Sequence, residues 1–286
     1  MSAALSFFAF FTLGMGPGLV FFGFFIAPKS FLVLLTLTSA FFWLLSLLLI
    51  SAIFKGFLPV TVVASHYAGL VACSVAIQEL ARLGMWKIHS ITAQVLSEHA
   101  RSTGHRFAVL DRLYLALGWG YGHGVAHVVF FVLSFLPLTT GDGTWYLDTC
   151  PNMSIFLAGA LYALAFGMLL PGCMVISFYG LQERNWLLIV YPPAMHLGAS
   201  MLTLANFRRN GCLFVMPLLL VLGAGTAFYA TKLGWKAVTG LDATSAARTS
   251  QRNDAVREDN GLIPGGLSSS DGGPSRRRGH NQQAID

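Results

Sequence analysis

The chain has 286 residues, of which 55% are hydrophobic and only 10% charged, with a mean hydropathy of +0.65. Soluble domains carry about 25% charged residues, so this composition excludes a soluble fold and predicts an integral membrane protein. The net charge of +6 comes mainly from basic residues in the predicted loops and in the tail after residue 240. That distribution is typical of membrane topology rather than of nucleic-acid binding.

Seven apolar stretches are long enough to cross a bilayer, whose hydrocarbon core of about 30 Å requires about 20 helical residues. They predict an all-α polytopic fold with spans at residues 4–27, 31–54, 65–86, 112–137, 154–180, 187–207 and 212–235. We interpret the first as a retained span, because it is longer than the apolar core of a signal peptide and no basic residue precedes it. The predicted domains are a transmembrane bundle over residues 1–238 and a disordered cytosolic tail over residues 239–286.

The basic residues predict the orientation of this bundle. The longest internal polar stretch, Lys87–Asp111, contains Lys87, Arg101 and Arg106 and is expected in the cytosol. A lumenal or extracellular N-terminus places both this stretch and the basic tail on the cytosolic side, as the positive-inside rule favours. Seven spans then give a cytosolic C-terminus.

The fourth span carries a stripe of small residues at Ala116, Gly118, Gly120, Gly122 and Gly124. Small residues four apart form a flat surface on which another helix can approach closely. We interpret the stripe as a helix-packing and partner-binding surface. A flexible hinge is the alternative, because glycine weakens a helix by about 1 kcal/mol relative to alanine.

Six polar side chains within the spans predict a buried polar interior. Glu79 and Arg82 are one helical turn apart and can pair, although both could instead extend to the cytosol. The histidines are expected to form hydrogen bonds between helices, because they lack the third ligand and the glutamate spacing of a zinc site. The sequence predicts no metal and no cofactor. The six are Gln78, Glu79, Arg82, His123, His127 and His196.

No catalytic residue is predicted. Aspartic proteolysis requires two neighbouring carboxylates in the membrane, whereas the eight aspartates fall in a predicted loop, at the edge of the fourth span or in the tail. Ser200 follows His196 by one turn of the same helix, which is a poor arrangement for a nucleophile and its base. These positions exclude an aspartic mechanism for this chain alone.

Two features are expected at the exterior ends of the spans. Cys150 and Cys212 are candidates for a disulfide in that oxidising compartment. Asn152 begins an Asn-Met-Ser sequence and is a candidate N-glycosylation site, although it lies very near the membrane.

Several short motifs follow one another in an order that identifies a family. They are Gly16-Pro17, the run AFFWLLSLLL at residues 40–49, Gln78-Glu79 with Arg82, the run GHGVAH at residues 122–127, and His196-Leu197 followed by MLTL at residues 201–204. With these motifs the chain resembles the anterior-pharynx-defective family of gamma-secretase subunits, and its plant-type members above all, from Met1 to about Val238.

The resemblance implies a non-catalytic scaffold that stabilises presenilin and nicastrin for intramembrane proteolysis of type I membrane proteins. Presenilin, nicastrin and the presenilin enhancer are the implied partners, with presenilin supplying the catalytic aspartates. The implied locations are the endoplasmic reticulum, Golgi, endosomal and plasma membranes.

One departure from the family pattern falls in the fifth span, where Leu169-Leu170-Pro171 replaces a buried histidine. We hypothesise that His123 or His127 takes its place in the polar cavity that receives the presenilin tail, if either faces His196. Pro171 is also expected to kink this span. The alternative function is a histidine-lined small-solute or proton transporter, for which the sequence offers no midplane carboxylate.

Overall fold

The computed structural model describes residues 3–55, 64–105, 107–139, 146–147 and 149–261. The chain divides into two compact units, Met1–Leu241 and Asp242–Asp286. The first unit contains every side chain discussed below. In the second, the described residues continue the last helix to Gly261, and the predicted disorder of the tail stays a prediction.

Seven long helices form the described part of the fold, and each is long and apolar enough to cross a membrane. This confirms the predicted all-α polytopic architecture, while the orientation of its termini stays a prediction. The helices are α1 (Ala3–Phe21), α2 (Ser30–Lys55), α3 (Ala64–Ser102), α4 (Val109–Leu133), α5 (Ile155–Glu183), α6 (Trp186–Leu202) and α7 (Gly211–Gly261).

Short elements connect or extend these helices. A π-helical turn, Phe22–Ile26, continues α1, and 3₁₀ turns cover Leu136–Thr139 and Thr203–Phe207. Before α5, the strands β1 (Tyr146–Leu147) and β2 (Cys150–Ser154) pair antiparallel.

Helix α5 lies at the centre of the bundle and packs against α1, α4 and α6, while α4 also packs against α2. The side chains of Leu170, Cys173 and Ile176 on α5 are completely buried. By contrast, Phe24 and Phe214 are 76% and 79% exposed. An apolar exterior of this kind is what a protein surrounded by lipid requires.

The third helix is longer than its predicted span. We expected a polar loop after residue 86, but α3 continues as a helix to Ser102. Residues 87–102 contain neither glycine nor proline, so nothing interrupts the helix although its hydropathy falls. The helix ends in a Schellman motif, in which Gly104 has φ +74° and the His105 N–H donates to the Ala100 carbonyl at 2.8 Å. Arg106 lies outside the described residues.

Candidate functional site

A buried ionic cluster joins α3 to α6. Glu79 accepts a hydrogen bond from Nη1 of Arg82 at 2.5 Å, and its other oxygen lies 2.8 Å from Nδ1 of His196. Arg82 and His196 are each 1% exposed. Arg82 is therefore held inside the bundle by Glu79 and does not extend to the cytosol.

Several polar atoms in this cluster and next to it have no hydrogen-bond partner among the described residues. They include Nε and Nη2 of Arg82 and Oε1 of Gln78, whose amide nitrogen lies 3.4 Å from the Ser74 hydroxyl. A buried donor or acceptor without a partner costs about 1–3 kcal/mol. The cluster therefore carries an energetic cost at the Arg82 guanidinium that the packing of the bundle must offset.

The two histidines on α4 occupy different surroundings. His123 is completely buried, and neither of its ring nitrogens has a partner within the described ranges. His127 packs between the rings of Trp43 and Phe166, with centroid distances of 5.5 and 5.3 Å. His196 is hydrogen-bonded to Glu79. Among the described residues, neither histidine of α4 forms a hydrogen bond of this kind.

One half of the glycine stripe packs against α5. A Cβ atom at Gly120 would lie 2.9 Å from the carbonyl oxygen of Pro171, and one at Gly124 would lie 2.8 Å from the Pro171 ring. Real Cβ atoms do not approach other atoms so closely. Pro171 therefore packs directly against α4.

The other half of the stripe packs against α2. A Cβ atom at Gly122 would overlap the carbonyl of Thr36, and one at Gly118 would lie 3.3 Å from Leu35. The hydroxyls of Thr36 and Ser39 donate to α4 carbonyls at 3.3 and 2.5 Å. Close packing is thus present at these glycines.

The stripe packs within its own chain. Gly118, Gly120, Gly122 and Gly124 are already covered by helices of the same chain, and Ala116 is 6% exposed. The packing seen there is with α2 and α5 of the same chain, and binding of a partner by the stripe stays a prediction. The sequence could not show this packing, because a stripe of small residues does not specify which helix covers it.

The predicted exterior residues lie together at one end of the bundle. A disulfide links Cys150 to Cys212, with their Cα atoms 6.2 Å apart, and so ties β2 to the start of α7. Asn152 is exposed on β2. Ser154 of the same sequence motif caps α5 by accepting a hydrogen bond from the Phe156 N–H at 3.3 Å. Glycosylation of Asn152 stays a prediction.

Sequence reasoning missed the bond between His196 and Glu79, which are 117 positions apart. A signal was present, because an ionisable residue within a span usually pairs with another. No group of three metal-ligating side chains occurs within the described ranges.

The fold and the cluster together define a class of protein: a multi-pass membrane protein whose interior contains an ion pair bonded to a histidine. The chain matches the family described as Aph-1 protein over residues 5–237. It therefore belongs to the Aph-1 family, as its motifs predict.

Named relatives occur in plants and animals. The chain is 39% identical over 226 residues to a protein of Arabidopsis thaliana named gamma-secretase subunit APH1-like, covering 78% of this chain and 90% of that protein. It is 31% identical over 195 residues to gamma-secretase subunit Aph-1 of Drosophila melanogaster, covering 68% and 78%. It is 30% identical over 238 residues to gamma-secretase subunit APH-1B of Mus musculus, covering 80% and 89%.

Proposed function

We propose that this chain is a non-catalytic scaffold subunit of gamma-secretase that stabilises presenilin and nicastrin for intramembrane proteolysis of type I membrane proteins. Family membership and the names of the plant, insect and mammalian relatives support this assignment. The presenilin enhancer completes the set of partners. The N-terminus is lumenal or extracellular, and the complex works in the endoplasmic reticulum, Golgi, endosomal and plasma membranes.

The observation that carries the proposal is the buried cluster of Glu79, Arg82 and His196. An ion pair inside a membrane span is costly, and such residues usually face a protein interior or a partner. Arg82 is held by Glu79 within the bundle, and His196 joins the same carboxylate from α6, so the cluster fixes α3 against α6. A bundle fixed in this way gives presenilin a stable surface to bind, which is what a scaffold role requires.

The surroundings of Glu79 also favour a structural role over a proteolytic one. In aspartic proteases two carboxylates lie side by side and share a proton. The groups within hydrogen-bond distance of Glu79 are a guanidinium and an imidazole. A carboxylate paired in this way holds two helices together and is poorly suited to act as a general base.

Co-purification tests the proposal. The tagged full chain is expressed in its native cell type and solubilised in a mild detergent, and the bound proteins are identified by mass spectrometry. We expect presenilin, nicastrin and the presenilin enhancer in amounts close to that of the bait. A monodisperse bait that purifies without any of the three would contradict the scaffold role, and transport assays would then test the histidine-lined alternative.

A further inference from the structure

The C-terminal part of α3 helps to form a polar cavity away from the buried cluster. The cavity is partly open, has a volume of about 730 Å³, and is lined by residues of the end of α3, the first turn of α4 and the end of α5, together with His105 and Phe107. Cavities that bind small molecules have volumes of about 300–1,000 Å³. Its lining includes His89, Glu98, Arg101, His105, Arg112 and Gln182.

The charge of this cavity is positive. Arg101 and Arg112 line it, and neither forms an ion pair with a carboxylate among the described residues. Asp111, beside Arg112 in the chain, instead accepts a hydrogen bond from the Ala108 N–H at 2.9 Å. Among the described residues of the lining, Glu98 is the one carboxylate, and it lies 3.4 Å from the Gln94 amide. Two guanidinium groups against one carboxylate leave a net positive charge.

A buried histidine contributes to the cavity wall. His89 is only 4% exposed, and its ring forms a three-ring cluster with Trp86 and Phe178, at centroid distances of 5.4 and 4.6 Å from them. Its Nδ1 atom has no hydrogen-bond partner among the described residues. This nitrogen is itself buried, so His89 forms part of the cavity wall, and the arginine side chains are the groups open to a ligand.

We propose that this cavity binds a phosphomonoester carried on a hydroxylated headgroup, of which phosphorylated inositol is the simplest example. Guanidinium groups bind phosphate through paired N–H···O bonds, and Arg101 and Arg112 supply two of them. The amide of Gln182 and the hydroxyl of Ser97 line the same cavity and suit the hydroxyl groups of a polyol. A position just beyond the apolar part of α3 allows the headgroup to belong to a membrane lipid or to a soluble inositol phosphate.

Native mass spectrometry of the purified full chain tests this site. The probes are phosphatidylinositol monophosphate, unphosphorylated phosphatidylinositol, and soluble inositol bisphosphate. The variants are Arg101→Gln and Arg112→Gln, with Lys87→Gln as the matched control. Lys87 is exposed on α3, the helix of Arg101, and does not line the cavity. Its replacement therefore removes an equal charge outside the cavity. All three side chains are exposed, so each variant is expected to fold.

We expect either arginine change to weaken binding of the monophosphate about tenfold, which corresponds to loss of one charge-assisted hydrogen bond, while Lys87→Gln changes it little. Binding of the lipid identifies a membrane ligand. The same arginine dependence with inositol bisphosphate alone identifies a soluble one. Equal weakening by all three variants, equal binding of unphosphorylated phosphatidylinositol, or no binding of either phosphorylated probe would overturn the proposal.

Discussion

The Nδ1 atom of His196 lies 2.8 Å from the Oε1 atom of Glu79, although the two residues are 117 positions apart in the chain. This contact joins α6 to α3 in the interior of the bundle. The other oxygen of Glu79 binds Arg82 at 2.5 Å. One carboxylate therefore links two helices and neutralises a buried cation, which makes it the most sensitive position of the candidate site.

Replacing His196 should destabilise the purified chain. His196→Ala removes one partner of a buried hydrogen bond to a carboxylate, which costs about 1.5–3 kcal/mol. His196→Asn keeps a group able to donate to Glu79 and should recover part of the loss. Thermal unfolding in detergent measures both variants. His99→Ala is the control, because His99 is exposed on α3; an equal melting temperature for His196→Ala and this control would contradict the prediction.

Removing the Arg82 charge alone should destabilise the chain more than removing both charges of the ion pair. Arg82→Met leaves Glu79 in the interior without its cation, and breaking a buried pair in this way costs about 3–5 kcal/mol. Adding Glu79→Gln removes the uncompensated charge, so the double variant should unfold at a higher temperature than Arg82→Met. Lys87→Met tests a comparable change at an exposed site. A double variant less stable than Arg82→Met would show that the two side chains act independently.

Enlarging Gly124 should disrupt the chain's own fold. A leucine there would collide with the Pro171 ring on α5, which already lies within 2.8 Å of an ideal Cβ position. Overpacking of this kind costs about 1–3 kcal/mol. Gly225→Leu is the matched control, because nothing lies within 4 Å of its ideal Cβ position. Size-exclusion chromatography of the bait without partners should show a loss of monodisperse protein for Gly124→Leu only, and a normal profile would contradict the prediction.

The link between Cys150 and Cys212 should contribute to stability. It closes a loop across 62 positions, and disulfides over such loops typically contribute about 2–4 kcal/mol. Maleimide labelling of the denatured chain should modify Cys73 and Cys173 without a reductant and all four cysteines with one. Cys150→Ala should lower the melting temperature more than Cys73→Ala. Labelling of all four cysteines without a reductant would refute the link.

The sequence predicts the seven spans because their signal is local: about 20 apolar residues can satisfy their backbone groups in lipid only as a helix. The extension of α3 to Ser102 was missed because hydropathy falls at Lys87 while helix propensity does not. Hydropathy indicates which part of a helix can cross the membrane, but it does not indicate where the helix ends. The absence of glycine and proline after residue 86 is the better guide to the end of the helix.

Most contacts of the candidate site could be identified only from the structure. Glu79 and Arg82 are one turn apart, so their pairing could be predicted from spacing. The bond from His196 depends on how α3 and α6 pack, which no spacing in the sequence encodes. Similarly, the small residues of α4 predicted close packing, but only the fold shows that Thr36 and Pro171 occupy the two sides of the stripe.

Recovery of presenilin with the tagged chain tests the role of the buried cluster most directly. It should be measured for the unmodified chain, for His196→Ala, for Glu79→Gln, and for the variant that combines these two changes, each normalised to monodisperse bait. Glu98→Gln is an exposed control on α3. If the cluster acts as one unit, each single change lowers recovery, and the double variant loses no more than the worse single change. Undiminished recovery of presenilin in His196→Ala and Glu79→Gln would contradict a role for the cluster in holding the protease.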